Sequence, residues 1–213
     1  MNNIRKIEGL DICFANLDAS EIEFFLNRTN QIKDQMDIDN SNLEKYNKHL
    51  AGNIKHEYGI ADIIPEATMI LHPLVQSMAT MTRAISGVGV NFYDAPVKLG
   101  KLWANFSKKY EFNPLHDHNG LLSFVIWLDI PYTIEDERKY SPGKDSNQPK
   151  SGSFSFVVSD PMFGPKEYTF EVDKSMNGTI AMFPSKTLHQ VYPFYTSDDY
   201  RVTVAGNYYF DWS

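Results

Sequence analysis

Between residues 99 and 210 this 213-residue chain is a succession of short apolar runs, at 99–106, 120–130, 153–159, 167–172, 179–183, 189–193 and 201–210. Glycine, proline, asparagine and aspartate fill the gaps between them. Runs of this length, rich in Val, Ile, Phe, Tyr and Trp and closed off by turn formers, are half-buried strands, and so many in a row describe an antiparallel sandwich or jelly roll. A further run at 88–92 reads as another strand. The aromatics Phe124, Trp127, Phe154, Phe156, Tyr208 and Tyr209 belong to its core and cross-strand packing.

The front of the chain has a different period. After a strand-like piece (Leu10, Ile12, Phe14), residues 18–36 read as a helix, with Ser20 and Glu23 as a capping box ahead of Ile22, Phe24, Phe25, Leu26 and Ile32. Leu71, Leu74, Val75, Met78, Met81 and Ile85 recur every three or four residues, which predicts a second amphipathic helix that begins, restarts or kinks near Pro73 and ends at Gly87 and Gly89. Residues 37–53, rich in Asn, Asp and Lys, read as an exposed connection with a single helical turn. The expectation is one domain: a helical front with a first strand over about 1–87, and a β core over about 88–213. Residues 131–152, with Glu135, Asp136, Glu137, Arg138, Lys139, Pro142, Gly143 and Pro149, form its main interruption, a solvated loop or a lid beside a site.

Composition narrows the function. A net charge of -7 gives no footing for nonspecific binding to a nucleic-acid backbone, which requires clustered Lys and Arg. The lone Cys13 rules out an internal disulfide and the CxxC chemistries. The first residues are too polar for a signal peptide and no run of 18 apolar residues exists, so a cytoplasmic protein without a membrane partner is expected. Phosphate-binding glycine loops, a nucleophile elbow and a Cys/His pair are missing from the sequence, which removes phosphoryl and acyl transfer.

What remains is a histidine constellation. In Asn113-Pro-Leu-His-Asp-His-Asn-Gly, residues i and i+2 of an extended strand share a face, so His116 and His118 converge while Asp117 points away. A bulge that turned Asp117 inward would give the other ligand pair. His189, after a Phe-Pro turn, returns beside them and completes a set of three. Imidazoles suit iron, copper, nickel and zinc, and a facial set with open positions suits iron(II) that also takes a co-substrate and oxygen. Protons should compete with the metal near the ordinary histidine pKa, about 6.5. His49, His56 and His72 have no partner pattern and read as surface or core-edge residues.

Arg201 follows His189 by twelve residues at the start of a strand. Pointing into a barrel, it needs an anionic partner, and its planar fork fits a carboxylate. A dicarboxylic co-substrate would supply one; an internal acid such as Asp129 or Asp211 is the alternative. Ser123, on the strand after the histidine pair, either adds a hydroxyl to that carboxylate or caps its own backbone.

With these residues in view, the chain resembles the 2-oxoglutarate/Fe(II)-dependent oxygenase superfamily, and most closely the small oxygenases of marine T4-like phages. The matching segments are residues 103–131 and 182–207, including Phe-Pro-Ser-Lys-Thr-Leu-His and Arg-Val-Thr-Val-Ala-Gly-Asn, together with Asn-Lys-His-Leu-Ala-Gly-Asn-Ile at 47–54. The resemblance implies a mostly β protein with N-terminal helices and a double-stranded β-helix core. It also implies Fe(II) on His116, His118 and His189, and 2-oxoglutarate as co-substrate with its distal carboxylate on Arg201. The implied reaction consumes O2, forms succinate and CO2, and attacks a C–H bond of a prime substrate. The departure is His118, where such proteins carry Asp or Glu. Two other readings of the same residues stay open at this point: a cupin-like three-histidine enzyme that needs no oxo acid, and a non-catalytic β-sandwich, such as a phage structural or interaction protein, with a structural ion.

Overall fold

Two antiparallel sheets form the frame of the fold. The computed structural model describes residues 2–7, 11–38, 42–79, 96–160 and 162–211. In chain order the strands are β1 Asn2–Ile7, β2 Ile12–Asn16, β3 His56–Gly59, β4 Val97–Ser107, β5 Asn113–His116, β6 Leu122–Asp129, β7 Ser153–Asp160, β8 Gly164–Glu171, β9 Thr179–Pro184, β10 Leu188–Val191 and β11 Arg201–Phe210. One sheet has seven strands in the order β1-β2-β9-β6-β11-β4-β3, the other four in the order β5-β10-β7-β8. This is a double-stranded β-helix. The front of the chain contributes more than helices, because β1, β2 and β3 extend the larger sheet on both sides.

The alternation of the central strands sorts their side chains into two cores. Phe124, Ile126 and Leu128 of β6 face outward, onto helices α1 Ala19–Ile38 and α2 Ile64–Ala79. Val125 and Trp127 face the smaller sheet and pack with Phe154, Phe156 and Phe183. Helix α1 buries Phe25, Thr29 and Ile32, a four-then-three spacing that lays one stripe on the sheet. Its cap sits two residues earlier than the expected Ser20/Glu23 pair. The backbone N–H of Asp18 donates to Glu21 Oε2 at 2.7 Å, so the reciprocal N3-to-N-cap bond belongs to Asp18 and Glu21. Helix α2 starts at Ile64 and runs through Pro73 to Ala79. Pro65, in the first turn, gives up no helical bond there. The expected strand at 88–92, the glycine stop at 87 and 89, and Met81 and Ile85 lie outside the described residues.

Residues 131–152 are not a uniform solvated loop. Thr133 caps α3 Ile134–Tyr140, and Glu137 of that helix is fully buried. Its carboxylate accepts from the backbone N–H groups of Tyr195 and Thr196 and from Thr196 Oγ1. Helix α3 thereby ties down the segment that leads into β11.

Candidate metal and co-substrate site

Strand register brings the first two histidines together. His116 on β5 is the cross-strand partner of His189 on β10, and both rings face the space between the sheets. β5 ends at His116, so His118 lies beyond the strand that was expected to orient it. Two tethers continue the alternation instead. The His118 N–H donates to Ser185 O at 2.9 Å, and Asp117 is held outward by Lys186 Nζ at 3.3 Å. Gly120 then turns the chain into β6 with φ +128, where a Cβ would come within 2.8 Å of Tyr208 O.

The coordinating nitrogens of His116, His118 and His189 lie within 4.8 Å of one another, a group that could hold a metal ion. Their chemistry fits one. His116 Nδ1 lies 2.7 Å from Pro114 O and His189 Nδ1 2.9 Å from Thr187 O. A carbonyl can only accept, so each Nδ1 carries the proton and each Nε2 presents its lone pair. Burial lowers the pKa of all three rings, His118 to about 4 and His189 well below its ordinary value. Proton competition with a metal therefore begins at lower pH than the ordinary histidine value implies. Phe183, Phe154 and Phe156 surround the His189 ring, and the Trp103 edge meets His118.

The three histidines and Arg201 line one cavity, with Trp127, Phe154 and Phe183 in the wall between them. Arg201 is 3% exposed. Its Nη1 donates to Tyr192 O at 3.1 Å and Tyr132 Oη at 3.3 Å, and its guanidinium lies 5.2 Å from the centre of the Phe194 ring. Nη2 is buried without a partner. No ion pair to Asp129 or Asp211 forms: Asp129 is exposed, and Asp211 binds Lys98 at 2.7 Å. A buried cationic N–H with nothing to donate to is costly, and a carboxylate in the cavity would remove that cost.

Ser123 is not beside Arg201. It pairs with Asn207, six positions along β11, which at ~3.4 Å per residue puts it roughly 20 Å from Arg201. Its hydroxyl is bonded to Ser185 Oγ at 2.9 Å and Asn207 Oδ1 at 2.8 Å. The residues that do flank Arg201 are Ser107, opposite it on β4, and Asn105, whose Nδ2 donates to Thr203 Oγ1 at 3.0 Å. Tyr132 is the neighbour that sequence reasoning missed entirely. Its hydroxyl donates to Gly152 O at 3.1 Å while accepting from Arg201, which fixes the guanidinium. Tyr132→Phe is expected to weaken 2-oxoglutarate binding by roughly two- to tenfold, the worth of one net hydrogen bond of about 0.5–1.5 kcal/mol, with metal binding unchanged. Calorimetric titration of the metal-loaded variant measures it.

The 47–54 segment closes the cavity. Leu50 and Ile54 form part of its lining, and Asn47 Nδ2 bonds both Ile54 O and Glu57 Oε2. Glu57 is fully buried, and burial, aided by the charge of Glu111, pushes its pKa up to about 7. A raised carboxyl pKa means that its contribution to stability is complete below the unfolded value near 4.5 and lost as pH rises through 7. Glu57→Gln, which mimics the neutral acid, should therefore stabilise the fold at pH 8 by roughly 2–3 kcal/mol and leave it unchanged at pH 4.5, as denaturant melts at the two pH values will show. Of the other histidines, His56 bonds Tyr58 Oη at 3.1 Å and packs on Tyr200, and His72 is exposed on α2. The side chain of His49 lies outside the described residues.

A double-stranded β-helix that gathers three imidazoles able to hold a metal ion and a buried arginine around one cavity is the class of structure this chain presents. Solved structures share that fold across nearly the whole chain. A prolyl-4-hydroxylase from Pseudomonas putida aligns with TM-score 0.55 at 12% identity, over 95% of this chain and 92% of the other. The α-ketoglutarate-dependent epimerase SnoN of nogalamycin biosynthesis aligns with TM-score 0.55 at 15% identity, over 93% and 77%. A prolyl hydroxylase from Trichoplax adhaerens, solved with a peptide of hypoxia inducible factor, gives 0.54 at 13%, over 95% and 84%. No curated protein matches by sequence. The sequence model of one family, described as "Putative 2OG-Fe(II) oxygenase", matches residues 101–207, half of the chain, from β4 past Arg201. The chain belongs to that family of 2-oxoglutarate- and Fe(II)-dependent oxygenases.

Proposed function

We propose that the chain holds Fe(II) on His116, His118 and His189, anchors the distal carboxylate of 2-oxoglutarate on Arg201, and hydroxylates a C–H bond of an organic prime substrate in the cytoplasm, that of the host cell if the chain is phage-encoded. The overall reaction takes 2-oxoglutarate, O2 and R–H to succinate, CO2 and R–OH. Bound iron supplies the activation of O2 that this reaction needs. The protein supplies position and exclusion of water. The two backbone carbonyls on His116 and His189 fix which imidazole nitrogen faces the metal. Tyr132 and Tyr192 O hold one arm of Arg201, leaving Nη2 for the co-substrate. The rings of Trp127, Phe154 and Phe183 make the intervening wall apolar, which strengthens the carboxylate–guanidinium attraction.

The observation that carries this reading is the unpartnered Nη2 of a buried arginine in the same cavity as the three histidines. A three-histidine enzyme that binds its substrate on the metal alone has no use for that group, and a structural ion site calls for four protein ligands. The test is anaerobic Fe(II) titration with and without 2-oxoglutarate, followed by the visible charge-transfer absorption that chelation of the oxo acid produces. A band that needs both components supports the proposal; metal binding without a band on adding 2-oxoglutarate overturns it.

A further inference from the structure

Among the described residues, no carboxylate lines the cavity that holds the three histidines. The three candidate ligands are neutral imidazoles. The supporting acceptors on His116 and His189 are the carbonyls of Pro114 and Thr187, also uncharged. Asp117, the acid adjacent in sequence to both histidines of the pair, is turned to the surface and paired with Lys186. The charges that reach His118 are of both signs, Asp117 negative and Lys101 and Lys186 positive, and none of the three is among the candidate ligands.

Donor type decides which divalent ions such a site prefers. Imidazole bonds well to ions of borderline softness such as Fe(II), Co(II) and Ni(II), whereas Mn(II) draws its affinity from oxygen donors, carboxylates above all. We propose that His118 is the metal-specificity residue of this protein: it excludes Mn(II) in favour of Fe(II), Co(II) and Ni(II), a discrimination that a carboxylate in its place would relax. The proposal rests on the metal assignment above and makes no use of the oxo acid. Its consequence for function is an enzyme that Mn(II) cannot readily inactivate by occupying the iron site.

The experiment titrates the metal-free full-length protein separately with Co(II) and Mn(II) against a competing chelator, for wild type, His118→Asp and Asp117→Asn. The Co(II)-to-Mn(II) affinity ratio of the wild type should exceed that of His118→Asp by on the order of tenfold or more, and Asp117→Asn should match the wild type. Pulsed electron paramagnetic resonance of the Cu(II)-loaded wild type should count three coordinated imidazoles, a readout that stands even if His118→Asp fails to fold. Equal ratios in wild type and His118→Asp, comparable wild-type affinities for Mn(II) and Co(II), a collapsed ratio in Asp117→Asn, or a count of two imidazoles would each overturn the proposal. Because no 2-oxoglutarate is present, these results are independent of whether the charge-transfer band forms, so failure of the selectivity and failure of the oxygenase reading are separately visible.

Discussion

Arg201→Leu is expected to lower the affinity for 2-oxoglutarate roughly thirty- to several-thousand-fold, because truncating one member of a buried charged pair costs about 2–5 kcal/mol. The loss arises mainly from the distal carboxylate, which would then sit in the cavity against Phe194 with no cation to meet it. Arg201→Lys keeps the charge but gives up the planar fork, so it should fall between the two. It also cannot serve Tyr132, Tyr192 O and the co-substrate with the same fixed geometry. Iron binding should survive both changes, since the three histidines stand on other segments. The measurements are 2-oxoglutarate affinity and succinate formation in iron-loaded protein. Retention of wild-type chelation by Arg201→Leu would remove the co-substrate assignment.

His118→Ala, His116→Ala and His189→Ala should each abolish tight iron binding. Removing a coordinating nitrogen costs more than the roughly 10- to 100-fold that follows loss of an outer supporting contact. Asp117→Ala should retain most of the iron, because that carboxylate already faces Lys186 and solvent. Metal content of the purified variants decides the matter. Iron lost from Asp117→Ala but kept by His118→Ala would mean that the acid, and not the second histidine, is the ligand.

Features set by the neighbours of a residue in sequence were open to direct reading. Short apolar runs closed off by turn-forming residues located the strands of the core, and 201–210 coincides with β11. The three- and four-residue spacing of Leu71, Leu74, Val75 and Met78 located α2. Several misses were local but finely balanced. Two acid-containing start signals lay two residues apart, and Asp18 with Glu21 prevailed over Ser20 with Glu23 because Glu21 reaches the Asp18 N–H. The four-residue β5 is too short to carry a period of its own, and three of its residues are Asn, Pro and His. It exists because β10 pairs with it.

The site divides along the same line. His-x-His spacing, a distant histidine and a trailing arginine were legible as chemistry because each residue type has few alternative uses in an apolar strand context. The positions of Ser123 and Tyr132 were not. Both lie within the 101–207 family match, yet register places Ser123 opposite Asn207, and the fold of 131–152 brings Tyr132 to Arg201. Glu57 likewise became a buried acid with a raised pKa only through the strands packed over it.

The sequence by itself determined which groups are available: three imidazoles, an arginine, the apolar strands that carry them and the turns that let the chain return. Only the tertiary structure decided which groups meet. Cross-strand register set His116 against His189, the Ser185 carbonyl and Lys186 put the His118 ring rather than the Asp117 carboxylate beside them, and the burial of Arg201 left one of its nitrogens without a partner. The physical reason is that strand periodicity is a property of a single segment, whereas register, burial and the pKa values and unmet hydrogen bonds that follow from them are properties of segments dozens of residues apart.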